Sequence, residues 1–273
     1  MNIVHVAAEC APWAATGGLA EVVGALPVAL QEQHQAAVIM PGYKRAMEKL
    51  ADAGVTPERQ GELLHLHLDG RTISFAAFVA RSEGPDLWLL TNIELFDRPG
   101  LYGDDRGGYG DNALRFAAFC HAARLLILRG DLGDVDLVHA HDWHAAILPV
   151  LLATVGGPPS VFTIHNLGYQ GGFDASWLPR IGLPPHTFTI DGLEFHGHLN
   201  LMKGGITYAD AVTTVSPTYA EEITRPALGV NLDGHIRHHA GKLSGIINGI
   251  GANWDPATDK AIAATYSADD VSG

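Results

Sequence analysis

Short apolar runs alternate with helix-like patterns at the start of the chain. The pattern predicts strands at residues 3–8 and 36–40 and helices at residues 19–33 and 43–53. Strands that alternate with helical segments of this length are typical of βαβ units, in which the strands lie parallel in one sheet. The chain is therefore predicted to have an α/β fold, with a Rossmann-like, mostly parallel sheet and helices on both faces.

The middle of the chain changes this rhythm before returning to it. Three short strand candidates follow one another and are separated by the turn-like sequences DGR and SEGP, so we expect hairpin strands added to the main sheet. These candidates are residues 63–68, 72–79 and 86–90. Later strands are predicted at 137–140, 160–164, 211–215 and 243–247, and later helices at 112–129, 143–154 and 219–223.

Local signals refine two of these later elements. The helix at 112–129 carries apolar residues at the spacing of one face, namely Leu114, Ala117, Leu125 and Leu128. Ser216 and Pro217 stand where an N-cap and a first helical residue belong.

Two segments fit neither period. Residues 168–198 are rich in Gly, Pro and aromatic residues, and we expect a long excursion over the sheet edge, of a kind that is often functional. Residues 251–273 are small and polar, which is typical of an interdomain linker. The chain is therefore predicted to contain one domain, residues 1–250, followed by a linker.

Composition narrows the possible partners and location. Thirty acidic residues against seventeen basic ones give a formal charge of −13, which opposes binding to nucleic acid or to an anionic membrane. The apolar stretch at 145–155 is too short to span a bilayer and contains Pro149. The N-terminus enters an apolar strand without a basic leader, so we expect a cytoplasmic protein. Cys10 and Cys120 are expected to be buried free thiols.

The candidate chemistry follows the predicted strands, because ligands of open parallel sheets bind beyond the carboxyl ends of the strands. The first strand is followed by TGGL, where Gly17 and Gly18 precede a helix. The glycines would let backbone N–H groups at the helix start approach a phosphate. They would equally serve a strand-to-helix turn that needs a positive φ, and the sequence leaves both interpretations open.

A cluster of histidines follows the middle strand in the sequence HAHDWH. Strand alternation puts His139 and His141 on one face, with Asp142 and His144 after them, which raises the possibility of zinc. Neither an HExxH motif nor paired cysteines accompany the cluster, so no metal site is predicted. A carboxylate and an indole at a strand end suit a carbohydrate better, since one accepts hydroxyl hydrogen bonds and the other packs on a sugar face.

Other candidate residues stand on nearby loops. His165 and Asn166 follow the next strand and are expected beside Asp142 if the two strands are neighbours. Tyr102 lies on a Gly-rich loop and either stacks on a sugar or caps the core. Lys203 is interpreted as a solvated cation on a helix rather than as a catalytic group.

Several long motifs, taken in order, resemble bacterial glycogen synthases and plant starch synthases. They are AAECAPWAATGGLAEV, LYGDDRGGYGDNALRF, VHAHDWHAAILP, FTIHNLGYQGGF, YADAVTTVSPTYAEEI and LSGIINGI. The resemblance implies the N-terminal half of a GT-B architecture, in which two Rossmann-like domains face each other across a cleft. It further implies transfer of glucose from ADP-glucose to the non-reducing end of an α-1,4-glucan, with retention of configuration. The C-terminal domain of that architecture is missing from this chain, which is therefore expected to be inactive alone.

The resemblance also assigns roles to residues. His165 and Asp142 would be the catalytic residues, with His165 beside the transferred glucose. Asp142 and Asn166 would hydrogen-bond sugar hydroxyls. The acceptor side would be lined by Glu9, Tyr102 and Trp143. The donor's phosphates would be bound by the loop of Ala15, Thr16, Gly17 and Gly18. Neither a metal nor a cofactor is implied.

Three positions depart from the family's pattern. Ala15 stands where the family has a lysine that approaches the donor's phosphates, and the loss of such a charge-assisted contact costs roughly 1.5 to 3 kcal/mol. Glu21 and Gly251 each replace an aspartate. A non-catalytic glucan-binding module is therefore the alternative. An NAD-dependent oxidoreductase is disfavoured, because the first loop lacks the dinucleotide-binding glycine pattern.

Overall fold

The structure is a computed structural model that describes residues 1–81, 84–251 and 254–270. Its first strands and helices are β1 Asn2–Val6, α1 Gly18–Leu30, β2 Gln35–Pro41, α2 Lys44–Asp52, β3 Glu58–Leu68, β4 Arg71–Ala80, β5 Asp86–Thr91, α3 Ile93–Phe96, β6 Gly103–Asp104, β7 Gly107–Gly108 and α4 Asn112–Arg129. The later ones are β8 Leu137–His141, α5 Asp142–Ala145, α6 Ile147–Val155, β9 Ser160–Ile164, β10 Gly172–Asp174, α7 Trp177–Arg180, β11 Glu194–Phe195, β12 His198–Asn200, α8 Leu201–Tyr208, β13 Ala211–Thr214, α9 Pro217–Glu222, α10 Asp233–His238 and β14 Leu243–Gly245.

In the described part of the chain, nine strands form the central sheet in the order β14-β13-β9-β8-β1-β2-β5-β4-β3. The pairs from β14 through β5 are parallel, and only the β3–β4 and β4–β5 pairs are antiparallel. The strand order reverses at β1, which has β2 on one side and β8 on the other. The predicted mostly parallel sheet and its added hairpin strands are confirmed.

Strand β3 is longer than its sequence pattern predicts. Its first half has exposed residues on both faces, and the register shifts between Gln60 and Leu64, so its apolar alternation begins late. Ser82 and Glu83 of the predicted SEGP turn lie outside the described residues.

Two central helices differ from the pattern that their sequences predict. Helix α4 is buried almost all round, so its apolar stripe is a poor guide, and Leu128 on the predicted apolar face is 50% exposed. The predicted helix at 143–154 is two helices that meet at Ala146. Pro149 has no N–H to donate to the carbonyl of Ala145, which explains the break one turn earlier. Ser216 does cap α9, because its hydroxyl accepts from the Tyr219 amide at 2.9 Å.

The excursion at 168–198 is more regular than predicted, since it contributes to a small antiparallel sheet of β10, β12 and β11. It reaches the edge of the main sheet, where Arg180 forms an ion pair with Asp69 in the turn after β3.

The interpretation of Lys203 as a solvated cation is wrong. The ammonium of Lys203 is buried and donates to the carbonyls of Ile190, Gly192 and Glu194, which fasten the excursion to α8.

The end of the chain adds little to the sheet. Residues 252–253 and 271–273 of the predicted linker lie outside the described residues, and the domain boundary at residue 250 stays a prediction. No helix in the described residues combines the length and the apolar character needed to cross a bilayer.

Candidate functional site

The strand order reverses at β1, and in open α/β sheets a ligand-binding crevice forms beside such a reversal, at the carboxyl ends of the strands. The chain leaves β1 and β8 in different directions, and such switch points are where open α/β sheets bind ligands. The loop after β1 carries Gly17, the end of β8 carries Asp142, and the end of β9 carries His165. Because these strands are neighbours in the sheet, the topology brings the three predicted segments to one edge.

Neither the backbone angles nor the packing of the loop after β1 requires glycine at positions 17 and 18. Gly17 has an extended backbone with φ −170°, and a Cβ at Gly17 or Gly18 would meet nothing within 4 Å. The alternative of a turn that needs a positive φ is therefore wrong. Residues 15–18 are exposed, and Gly18 begins the thirteen-residue helix α1, whose first N–H groups lack intrahelical partners. The loop is open for backbone contact with an external group.

Glu9 braces this loop instead of facing outward. Its side chain is buried, and its carboxylate accepts from the Thr16 amide, from the Thr16 hydroxyl at 2.7 Å and from the Tyr102 hydroxyl at 2.5 Å. These contacts tie the loop after β1 to the LYGD loop. That Glu9 lines the acceptor side stays a prediction.

The two predicted aromatic residues are also engaged by the protein. The Tyr102 ring stacks on His144 with centroids 4.5 Å apart, which favours its bracing role over an exposed sugar platform. Trp143 is only 9% exposed, and its ring packs against Phe116 and Phe173. Little of the Trp143 ring is exposed, and its expected contact with a sugar on the acceptor side stays a prediction.

Asp142 joins the ends of β8 and β9. It adopts a left-handed conformation with φ 55°, and its Oδ1 accepts from the His165 amide at 2.9 Å and from the Asn166 amide at 3.4 Å. Burial raises the pKa of Asp142 to about 7, although the two amides oppose that rise and the charge of Glu9 adds to it. The expected proximity of Asp142, His165 and Asn166 is present.

A row of imidazoles lies beneath this edge. Nδ1 of His5 is 3.1 Å from Nε2 of His141, and Nδ1 of His141 is 3.0 Å from Nε2 of His165. Burial lowers the pKa of His5 and of His165 to about 4 and that of His141 well below 6.5, so all three are neutral at pH 7. We refer to His5, His141 and His165 as the histidine chain.

His5 was missed by the sequence reasoning, although a signal for it existed. His5 stands within the apolar run of β1, and the structure pairs it in register with His139 across the β1–β8 ladder. His139 completes the cluster, stacking on His141 at 4.1 Å with Nε2 at 2.6 Å from the Thr163 hydroxyl. His139 and His141 share a face, as predicted.

Three of these histidines come close enough to be considered as metal ligands. In the described residues, single ring nitrogens of His5, His139 and His141 lie within 4.8 Å of one another. However, the rings of His139 and His141 are stacked with an interplanar angle of 27°. Lone pairs in two nearly parallel planes do not converge on one nearby point, so the rings would have to turn to share an ion. That no metal binds here stays a prediction.

Both cysteines are buried free thiols, as expected. Burial raises the pKa of Cys10 and of Cys120 to about 12, so neither is a thiolate at neutral pH. Cys10 borders an apolar cavity of about 180 Å³ between α1, α2 and the sheet, away from the histidine chain.

Comparison with known proteins identifies the group to which this architecture belongs. The sequence model of the starch synthase catalytic domain matches residues 2–238, which is most of the chain. The chain belongs to the starch synthase catalytic domain family. The predicted resemblance and the GT-B-type Rossmann-like fold are thereby confirmed.

The curated relatives of this starch synthase family member are glycogen synthases. The glycogen synthase of Anaeromyxobacter sp. is 44% identical, over 100% of this chain and 57% of its own length. Glycogen synthase 2 of Geobacter sulfurreducens is 42% identical, with the same two coverages. The catalytic domain of starch synthase IV from Arabidopsis thaliana, solved bound to ADP and acarbose, has a TM-score of 0.86 and 32% identity, covering 98% of this chain and 56% of that one. The chain thus spans a little over half the length of these relatives.

Proposed function

We propose that this chain is the N-terminal, acceptor-side half of a retaining glucosyltransferase. The reaction would move glucose from ADP-glucose to the non-reducing end of an α-1,4-glucan when a second Rossmann-like domain closes over the crevice. One observation carries the proposal: the open double-glycine loop, Asp142 and His165 follow the ends of neighbouring strands at the switch point. Family membership supports the chemistry, and a cytoplasmic location stays a prediction.

The proposed donor contact is the loop of residues 15–18. The amides of Gly17 and Gly18 would face the distal phosphate of the departing ADP, where negative charge grows as the glycosidic bond breaks. The open space at both Cβ positions supports this role, because a phosphate can approach the backbone there. Ala15 is exposed on the same loop and supplies no ammonium.

The proposed sugar contacts are His165, Asp142 and Asn166. A neutral His165 suits hydrogen bonding to a sugar oxygen and shielding of the reacting carbon, since its lowered pKa keeps it from acting as a cation at pH 7. Asp142 fixes this segment by holding the backbone amides of His165 and Asn166. Glu9 and Tyr102 act indirectly in this proposal, by bracing the donor loop.

The test measures incorporation of labelled glucose from ADP-glucose into glycogen. The chain alone is compared with a chimera that adds the C-terminal part of the Anaeromyxobacter glycogen synthase. We expect transfer by the chimera only, and an Ala15→Lys variant of it should bind the donor about tenfold or more tightly, as a restored charge-assisted contact predicts. An inactive chimera, with and without the lysine, would contradict the proposal.

The alternative is a glucan-binding module without transferase activity, and Ala15 is the observation that favours it. Removal of the donor-side ammonium leaves the sugar-facing residues in place, so glucan affinity would survive a loss of catalysis. Glycogen co-sedimentation of the chimera and of its Ala15→Lys variant, with no transfer by either protein, would support this alternative.

A further inference from the structure

The histidine chain joins three neighbouring strands through their imidazoles. His5 lies on β1, His141 ends β8, and His165 follows β9, and the two N···N distances of 3.1 and 3.0 Å are those of hydrogen bonds. His141 is the middle member and uses both of its ring nitrogens. The three side chains therefore form one hydrogen-bonded unit that runs from the core to the crevice.

Proton counting limits this unit to two arrangements. A neutral imidazole carries one N–H and one acceptor nitrogen, so His141 must donate one hydrogen bond and accept the other. In the first arrangement, His5 donates to His141 and His141 donates to His165, which places the proton of His165 on Nδ1. In the second, both bonds reverse, which places the proton of His165 on Nε2.

The buried end of the histidine chain, His5, distinguishes the two arrangements. Nε2 of His5 is buried and has no hydrogen-bond partner among the described residues. The second arrangement would put a proton on this nitrogen and leave a donor orphaned in the core, whereas the first leaves only an unused acceptor. Orphaned buried N–H groups are the rarer of the two, because an unmet donor keeps its full desolvation penalty.

We propose that His5 and His141 are positioning residues that fix His165 as its Nδ1–H tautomer. The chain is directional, with each member protonated on Nδ1 and each donation pointing toward the crevice. An isolated neutral imidazole side chain favours the other tautomer, with the proton on Nε2. Three adjacent histidines in the less common form are thus a specific signature of this arrangement.

The surroundings hold the chain in place without competing for its nitrogens. His139 stacks on His141 but directs Nε2 to the Thr163 hydroxyl, which in turn contacts the Thr213 hydroxyl at 2.6 Å. The Asp142 carboxylate accepts from the backbone amide of His165 and not from its ring. Only His141 contacts the His165 ring nitrogens within the described residues, so it is the group able to set the tautomer.

The consequence for the site rests on the proposed function. With Nε2 of His165 occupied by His141, the remaining ring nitrogen, Nδ1, is presented as a hydrogen-bond donor. It would therefore select an oxygen that accepts, such as a lone pair of a sugar hydroxyl or of the reacting acetal. It would not abstract a proton, because Nδ1 has no free lone pair in this tautomer.

The test is NMR spectroscopy of the substrate-free chain labelled with ¹⁵N-histidine at pH 7. Long-range ¹H–¹⁵N spectra distinguish a protonated ring nitrogen from an unprotonated one, and we expect protonated Nδ1 in His5, His141 and His165. Couplings between ¹⁵N nuclei across both hydrogen bonds should also appear. A His165 protonated on Nε2, or the lack of both couplings, would overturn the proposal.

Two matched variants separate tautomer control from packing. His141→Phe removes the donor to His165, and we expect the Nε2–H form of His165 to appear. His139→Phe makes the same substitution at a residue whose ring stacks on the histidine chain without belonging to it. His165 should therefore keep its Nδ1–H form. Equal responses to the two variants would contradict the proposal, and the wild-type spectra remain decisive if His141→Phe fails to fold.

These measurements use no donor, acceptor or second domain. An inactive chimera would therefore contradict the proposed function while leaving the tautomer result intact. Conversely, an Nε2–H tautomer in an active chimera would refute the histidine chain's role and leave the proposed reaction standing.

Discussion

The two sides of the crevice are built differently. The edge formed by β8 and β9 is densely bonded: the buried Asp142 holds two backbone amides, and the half-buried His165 is held by the histidine chain. The loop after β1 is exposed at residues 15–18, and its glycines meet no protein atoms at their Cβ positions. Glu9 fastens this loop at Thr16.

This difference separates a preorganised edge from an edge that depends on its ligand. Fixed dipoles act on a reacting centre without reorganisation, and the Asp142–His165 edge would act in this way in the proposed reaction. An exposed loop with few internal contacts opens at low free energy and becomes ordered when a ligand or a partner domain covers it. Substitutions at the buried edge should therefore change stability, and substitutions in the open loop should change binding.

The largest expected effect is acid destabilisation through the buried histidines. In the unfolded chain a histidine binds a proton near pH 6.5, whereas His5 in the folded chain does so only near pH 4. The unfolded state therefore binds more protons between these values, and stability falls as pH drops from 6.5 to 4. His5 alone should account for about 3 kcal/mol of that loss, measured by urea unfolding at pH 7 and pH 4.

A matched pair of variants isolates this contribution. His5→Phe should reduce the difference in unfolding free energy between pH 7 and pH 4 by about 3 kcal/mol, because one of the groups that bind a proton on unfolding is gone. His67→Gln alters an exposed histidine on β3 and should leave the difference unchanged. If both variants kept the wild-type slope, His5 would not be the neutral buried group described above.

The next effect has the opposite sign and comes from Asp142. Its folded pKa is raised from 3.8 to about 7, so the folded chain binds the extra proton between these values. Stability should therefore fall as pH rises through this window, by about 2 to 3 kcal/mol between pH 5 and pH 7. Asp142→Asn keeps an acceptor oxygen but cannot ionise, so it should gain that amount relative to wild type over the same interval.

Asp142→Ala serves as the comparison, because it removes the acceptor as well as the charge. It leaves the amides of His165 and Asn166 unmet, and it should cost about 1 to 3 kcal/mol at pH 5, where Asp142→Asn remains close to wild type. Parallel pH profiles for wild type and Asp142→Asn would show that the Asp142 carboxyl has an ordinary pKa.

Much of the fold, and part of this edge, could be predicted from the sequence. Apolar runs of strand length between helical patterns predict parallel strands, and parallel strands end at one edge, so Asp142 and His165 were expected together. The glycines after β1 were found for a similar reason, since their position between a strand and a helix is a local signal.

The side-chain partners could not be predicted in the same way. Three residue types that usually face solvent or a ligand are instead buried here among partners from distant segments. They are Glu9, Trp143 and Lys203. Burial of this kind depends on how loops pack in three dimensions, which local periodicity does not encode. The first half of β3 was missed for a related reason, because both of its faces are exposed.

A smaller effect is expected at Glu9, which ties the loop after β1 to the LYGD loop. Glu9→Gln replaces one accepting oxygen with an NH₂ group and so opposes donation from Thr16 or Tyr102. The variant should lose about 1 to 2 kcal/mol in urea unfolding. Glu32→Gln, in the exposed turn after α1, should stay within about 0.5 kcal/mol of wild type. Equal stabilities would mean that the brace contributes nothing.

The smallest expected change in stability is at Gly17, and its smallness is the informative result. Gly17→Ala adds a methyl group into open space on an extended backbone, so the unfolding free energy should stay within about 0.5 kcal/mol of wild type. Gly100→Ala is the contrasting variant, because its Cβ would lie 2.0 Å from the Gly103 carbonyl oxygen, and it should be destabilised by about 1 kcal/mol or more.

Gly17→Ala should change donor affinity more than it changes stability. In the chimera with a second domain, the added methyl group stands where a phosphate would approach the backbone, so ADP-glucose affinity should fall severalfold while folding is unaffected. Isothermal titration of the chimera with ADP-glucose would measure the change. If Gly17→Ala were destabilised but bound the donor normally, glycine would be required for packing within the protein and not for donor binding. The loop after β1 would then not be the open, ligand-dependent side of the crevice.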